Sequence, residues 1–220
     1  MSAQSPVPRP LTDHPDRQFA LRQYERRSSV YDAELAWFEP LRIAAIDALL
    51  LQPGCRVIDV GCGTGLSFAP LMERLGSEGG IVGIEQCPQM LDLARERIRR
   101  YGWHGIELIE APVEQARLTE LADAALFHFT HDILRSTAAI ENVLGHLQPG
   151  ARVVATGLQW ASPWAWPVNL FVWSAALHSV STLEGLDHPW SLLARYLPDL
   201  RVRPTWLGGV SMATGVWPGA

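Results

Sequence analysis

The sequence predicts a single α/β domain: a seven-stranded, mainly parallel sheet with an antiparallel last strand and helices on both faces. Three observations carry this expectation. From Arg56 onward, short apolar runs alternate with amphipathic segments, the pattern of successive strand–helix units. Glycine occupies positions 61, 63 and 65, between the first apolar run and the next helical pattern. Near the C-terminus two further strand-like runs flank Gly208-Gly209, a dipeptide suited to a tight reversal, so the last strand is expected to oppose its neighbour.

Taken in order, residues 1–16 hold Pro6, Pro8, Pro10 and Pro15 and little apolar material, and are expected to form a loose arm. Residues 17–38 and 41–51 are patterned as helices, the second by Leu41, Ala44, Ala45, Ala48 and Leu49, and the whole 17–52 region is expected to form N-terminal helices that cap the core's functional site. The core then runs over 53–220. Its expected strands are Arg56–Val60, Ile81–Ile84, Ile106–Ile109, Ala124–Phe129, Arg152–Thr156, Arg201–Leu207 and Val210–Trp217. Helices are expected over 66–76, 88–100 and 136–147, with a short one near 190–197. The helix at 88 has Pro88 in its first turn and Met90, Ala94 and Ile98 at four-residue steps. Residues 153–183 contain no Asp, Glu, Lys or Arg but include Trp160, Trp164, Trp166, Phe171 and Trp173. Pro163, Pro167, Asn169 and several serines interrupt this stretch and no basic flank orients it, which argues against a membrane span. Residues 158–185 are expected to form an aromatic-rich insertion. No stable membrane insertion is expected, and peripheral contact is left open.

The chain has 220 residues, 48% of them hydrophobic and 19% charged, enough to bury a sizeable core and too ordinary for a disordered or fibrous protein. A net charge of -5 leaves no electrostatic footprint for nucleic acid. Cys55, Cys62 and Cys87 are too few and too scattered for a disulfide framework, and no His/Cys pair has metal-ligand spacing. With no charged-then-apolar leader, the expected location is the cytoplasm.

The segment Val57-Ile58-Asp59-Val60-Gly61-Cys62-Gly63-Thr64-Gly65-Leu66 is a buried strand running through a glycine loop into a helix. Glycines there let backbone approach a ligand, and the helix start offers free N–H groups. A dinucleotide loop would place its third glycine where Leu66 stands, and the Asp59 carboxylate would repel a diphosphate. Asp59 suits an ammonium group instead. Glu85 follows Gly65 by twenty residues and ends the next strand, placed to accept hydrogen bonds from both hydroxyls of a ribose.

These residues resemble those of class I S-adenosylmethionine-dependent methyltransferases, in the small ubiquinone/menaquinone-methyltransferase-like group, from about Tyr24 to the C-terminus. The resemblance implies a Rossmann-like fold and S-adenosyl-L-methionine as cofactor. It implies cofactor roles for Asp59, Gly61, Cys62, Gly63, Gly65 and Glu85, and puts Gln86 and Met90 at the adenine. Ala111, Pro112 and Val113 occupy a stretch that usually reads Gly-Asp-Ala-Glu, with Ala111 at the position of the Asp, so adenine contacts there fall to backbone or Glu114. At the end of the fourth strand, Phe127 and His128 are expected beside the cofactor, and His131 and Asp132 to face the acceptor as catalytic groups. Tyr24 and Tyr31 resemble tyrosines that close over the cofactor in the family, and Tyr31 is carried as a catalytic candidate. The basic run Arg95–Arg100 is expected to be a solvated helix face.

Methyl transfer from a sulfonium requires nucleophile, methyl carbon and sulfur on one line, with water excluded. A base is needed only where the acceptor loses a proton as it attacks. The expected acceptor is small and apolar or lipid-like, held between the N-terminal helices and the insertion, in a monomer or homodimer. A binding protein without turnover and a nicotinamide-dependent oxidoreductase are the competing readings.

Overall fold

The computed structural model describes residues 38–179 and 182–219. The arm at 1–16, the helical pattern over 17–37, Tyr24 and Tyr31 lie outside the described residues. Strands β1 (Arg56–Val60), β2 (Gly80–Glu85), β3 (Ile106–Glu110), β4 (Ala122–His128), β5 (Leu147–Leu158), β6 (Arg201–Thr205) and β7 (Val210–Val216) form one sheet in the order β3-β2-β1-β4-β5-β7-β6. The first five pair in parallel, and β7 runs antiparallel to both β5 and β6. This is the expected architecture.

Helices α1 (Glu39–Ala48), α2 (Phe68–Leu75), α3 (Pro88–Tyr101), α4 (His131–Leu134), α5 (Thr137–Leu144) and α6 (Trp166–Ser179) join the strands. Their ends follow local chemistry. Pro88 opens α3 and Gly102, with φ 65°, closes it; the Ser136 side chain accepts from Ala139 N at 3.3 Å to cap α5.

Alternation along the strands sorts side chains between two cores. Ile58, Val60, Ala125, Phe127 and Val153 pack with Ile140 and Val143 of α5. Val57, Leu126 and Val154 pack on the other face with Ala45 and Ile46 of α1 and Leu71 of α2. The same period of two turns Asp59, His128 and Thr156 toward the α1 face, where the buried Arg42 sits.

Several expected boundaries shift, each for a backbone reason. The fourth strand stops at His128 because Phe129 adopts φ 57°. The sixth stops at Thr205 because Trp206 and Leu207 adopt φ 46° and 53°, so the reversal takes four residues, Trp206 to Gly209, closed by Gly209 N donating to Trp206 O at 3.0 Å, and includes the expected Gly208-Gly209. The helix expected over 136–147 ends at Leu144, and the one near 190–197 is a single 3-10 turn at Leu193–Arg195.

Val172 and Ala176 of α6 are buried with Leu41, Leu158 and Val210, but Trp164 and Trp166 are 82% and 69% exposed and Trp173 is 46% exposed. Among the described residues these three tryptophans belong to none of the packed cores. No helix of the described residues is long and apolar enough to cross a membrane.

Candidate cofactor site

The strand order reverses between β1 and β4, where Val60 pairs with Phe127 and the two chains part beyond their carboxyl ends. Open α/β sheets bind ligands in such a crevice. The glycine loop fills its rim. Gly61, Gly63 and Gly65 all have left-handed φ, and Gly65 N donates to Cys62 O at 2.9 Å, a turn that delivers the chain into α2. A Cβ on Gly65 would fall 2.4 Å from the ring of Phe68, and one on Gly61 would fall 2.7 Å from Thr130 Cγ2.

Gly65→Ala therefore meets both left-handed strain and a clash with the buried Phe68. A loss of about 2–5 kcal/mol is expected, or roughly 5–15 °C in Tm. Gly54, with φ 86° and nothing within 4 Å of where a Cβ would stand, is the control. Equal melting of Gly65→Ala and Gly54→Ala would remove the clash from the account.

Asp59 is 2% exposed, and its Oδ2 is buried without a hydrogen-bond partner. Burial pushes its carboxyl up to about 7; the Arg42 guanidinium pulls the other way, and Glu85 adds to the rise. Glu85 joins the two loops: it accepts from Gly63 N at 3.2 Å and from Cys87 N at 2.8 Å. Burial raises its pKa while the backbone N–H groups of Cys87, Gly63 and Gln86 hold it down. Each carboxylate oxygen has more than one acceptor direction, so Glu85 can serve the loop and still accept hydroxyls. Burial and the neighbouring carboxylates push the Cys62 thiol well up, which leaves it inert packing.

Around this rim, Gln86 is half-buried and Met90 is buried in the first turn of α3. Ala111 N donates to Glu85 O at 3.2 Å, and Asn142 Nδ2 donates to Val113 O and Ala116 O at 2.7 and 3.0 Å, so backbone fixes the Ala111-Pro112-Val113 stretch. Glu114 is exposed and Val113 is buried in the α5-side core. Phe127 lies wholly in that same core, on the sheet face opposite Asp59.

His128 Nδ1 lies 2.6 Å from Thr156 Oγ1, and its Nε2 is buried without a partner. Burial, and secondarily Arg42, push its pKa down to about 3, so this imidazole is neutral. His131 opens α4. Its Nε2 lies 3.0 Å from Glu184 O, its Nδ1 is buried without a partner, and burial lowers its pKa. A carbonyl can only accept, so the proton of neutral His131 sits on Nε2 and the Nδ1 lone pair is free. Asp132 is half-buried beside it. Of the six buried side-chain polar atoms without a partner among the described residues, four belong to Asp59, His128, Thr130 and His131. That concentration marks the ends of β1 and β4 as the place where a polar ligand belongs.

Two residues of the site escaped the sequence reading. Arg97 Nε donates to Thr64 O at 3.0 Å and so holds the glycine loop. The expectation of a wholly solvated Arg95–Arg100 face is corrected there. The signal was present: Arg97 stands three residues after Ala94 and seven after Met90, on the inward face of α3. Arg42, buried on α1 and ion-paired with Glu39, has no such signal.

The residues fit S-adenosylmethionine. Asp59 offers an unpartnered carboxylate oxygen for an ammonium group, Glu85 has spare acceptor capacity for ribose hydroxyls, and the glycines leave space that a Cβ would close. Residues 51–163 match the family model described as a methyltransferase domain. Aklanonic acid methyltransferase DauC of Streptomyces sp. (strain C5) is 28% identical over 152 residues, which are 66% of this chain and 68% of that protein. The demethylmenaquinone methyltransferase of Listeria welshimeri serovar 6b is 32% identical over 88 residues, 39% of this chain and 36% of that protein. The chain therefore spans about two thirds of the first relative and about a third of the second. In fold, the N-methyltransferase NodS from Bradyrhizobium japonicum WM9, solved with S-adenosyl-L-homocysteine, superposes with a TM-score of 0.65 at 17% identity, over 90% of this chain and 98% of that one. The nicotinamide reading falls with these matches. Because the matched residues take in the whole glycine loop, Glu85 and the end of β4, the chain belongs to the methyltransferase-domain family and is an S-adenosylmethionine-dependent methyltransferase.

Proposed function

We propose that this enzyme methylates a small, apolar acceptor held against an aromatic cluster at the end of β4, with His131 as the base where the acceptor carries a proton. One observation carries the reading. Starting at His128, rings follow one another out of the crevice: His128 to Phe129 at 4.8 Å, Phe129 to Phe38 at 4.9 Å, and Phe38 to Trp206 at 4.9 Å, with Phe171 6.3 Å from Phe38. Phe129 holds a left-handed φ of 57°, a conformation costly for a bulky residue and often kept where a site needs it. Flat apolar ligands pack well on such rings, and the half-buried edges leave a way in. The relatives named for aklanonic acid and demethylmenaquinone support a small organic acceptor.

Bound S-adenosylmethionine supplies a methyl group already activated by its sulfonium. The chain's own residues bind and orient. Asp59 and Glu85 anchor the two ends of the loop site, Arg97 keeps the loop closed, and the rings exclude water and tolerate nearby positive charge. His131 Nδ1 takes the proton of the acceptor's attacking atom, and Nε2–H stays on Glu184 O throughout.

Phe38→Ala and Phe129→Ala are expected to raise the acceptor KM about tenfold or more, with cofactor affinity within a fewfold of wild type. Labelled S-adenosylmethionine incubated with cell extract finds the acceptor, and label in an organic-solvent fraction is the expected result. Label only in protein or nucleic acid would sink the reading.

A further inference from the structure

Gly157 stands within β5, one residue from its carboxyl end, is buried, and lies outside the left-handed φ region, so neither a turn nor solvent accounts for its missing side chain. Among the described residues a Cβ there would meet nothing within 4 Å. Protein interiors keep few such spaces, because the atoms around a void lose their contacts. Alternation puts this one on the α5 side of the sheet, where Val153 and Ala155 pack with Ile140 and Val143. Leu134 of α4, the helix that His131 opens, belongs to the same core. Ser211, directly opposite Gly157 on β7, borders the space with a small buried side chain. A second irregularity lies two residues on. Gln159 is 8% exposed; its Nε2 donates to Gly208 O at 2.9 Å, and its Oε1 is buried without a partner among the described residues. Its backbone N donates to Gly209 O at 3.0 Å, which extends the β5–β7 ladder and keeps Gln159 on the face of Gly157, away from Leu158 and Trp160.

We propose that the methyl acceptor lies over Gly157 and donates a hydrogen bond to Gln159 Oε1, which makes it a flat compound with two hydroxyl or N–H groups. One group is methylated beside His131 and the other stays on Gln159. The proposal rests on the small-acceptor reading and narrows it. Register supports the pairing of roles. His128 pairs with Thr156, so His131 and Gln159 each follow one register pair by three residues, at the carboxyl ends of neighbouring strands. One segment ties the two places together: Glu184 O lies 3.0 Å from His131 Nε2, and Leu186 O accepts from Trp160 N at 3.0 Å. Chemistry sets what Gln159 wants. Gly208 O can only accept, so it fixes the amide nitrogen on its side and leaves Oε1 as an acceptor in need of a donor. A ligand that brings O–H or N–H there relieves the cost of a buried unpaired carbonyl, and one without it does not. In the transfer, the attacking oxygen or nitrogen bonds to the methyl carbon as the C–S bond breaks toward sulfur. Its proton goes to His131 Nδ1, and the group on Gln159 keeps its hydrogen.

The test uses the full chain, labelled S-adenosylmethionine and an organic-solvent extract of cells at limiting concentration, so that initial rates compare kcat/KM between variants. Gly157→Val fills the space and adds a strand-forming residue, so it is expected to melt no lower than the wild type yet to lose about tenfold or more of the rate. A residue that mattered only for packing would not split stability from rate in this way. Gln159→Leu is expected to lose about tenfold, with S-adenosylmethionine affinity within a fewfold of wild type in both variants. The labelled product, dissolved in deuterated methanol, is expected to gain mass by exchange at its surviving O–H or N–H. A wild-type rate in Gly157→Val or in Gln159→Leu overturns the proposal. So does a lowered Tm in Gly157→Val, which would mean that the space is not open, or a product that exchanges no hydrogen. Each of these, with label in the organic fraction, leaves the small-acceptor reading standing. Label confined to protein or nucleic acid removes that reading and this proposal together.

Discussion

His131→Ala slows methyl transfer by about 10²–10⁴-fold at saturating cofactor and acceptor, and added imidazole restores part of the rate. The expectation follows from the tautomer. Glu184 O holds the Nε2 proton at 3.0 Å, so the unpartnered Nδ1 is the basic atom, and burial keeps the ring neutral at pH 7. The rate should fall on the acid side only, as pH drops through a pKa below the ordinary histidine value of 6.5. Loss of the imidazole also leaves Glu184 O short of a donor, a structural effect that imidazole rescue and the pH profile distinguish from loss of the base. A variant with wild-type turnover, or one whose loss is confined to the acceptor KM with an unchanged pH profile, removes His131 from the chemistry.

Asp59→Ala and Glu85→Ala each weaken S-adenosylmethionine binding by about ten- to a hundredfold, the roughly 1.5–3 kcal/mol of a hydrogen bond to a charged group. Asp59 adds a pH signature. Its carboxyl titrates at about 7 in the ligand-free fold, against an ordinary aspartate value of 3.8 in the unfolded chain, so between those values the folded state holds the extra proton. Stability of the ligand-free protein therefore declines as pH rises from about 4 to 7 and levels off above. Binding of an ammonium group needs the ionised form, so affinity runs the opposite way, falling up to tenfold for each pH unit below 7. Calorimetric titrations at pH 5.5, 6.5 and 7.5 read both, and a flat affinity profile in the wild type, or unchanged affinity in Asp59→Ala and Glu85→Ala with the fold intact, would refute the carboxylate's role.

The core strands, the glycine loop and the strand-end places of Asp59 and Glu85 were legible in the sequence because the forces that set them are local. Strand alternation, a left-handed turn that only glycine makes cheaply, and an acidic residue closing the next strand all leave marks within a few positions of where they act. The order β3-β2-β1-β4-β5-β7-β6 came from the structure, since right-handed crossovers fix which face each helix covers and leave the order of the strands open. Arg97 was misread because a run of four arginines hides the one on the inward face. Phe127 was expected beside the cofactor, yet the strand's alternation sends it to the opposite core from His128, a consequence that position in the motif does not show.

By itself the sequence determined the fold class, the cofactor and the places of the glycine loop, Asp59 and Glu85 at the strand ends. Tertiary structure alone decided what the rest of the site does. His131 owes its tautomer to a carbonyl 53 residues away, and Asp59 owes its raised pKa to burial and to the nearness of Glu85, against the opposing pull of Arg42. The insertion's tryptophans point outward because the inner face of α6 is already filled by Val172 and Ala176 against Leu41 and Val210. Proton affinity and exposure depend on which distant groups share a volume, and that is fixed by packing between elements, long after local pattern has set the elements themselves.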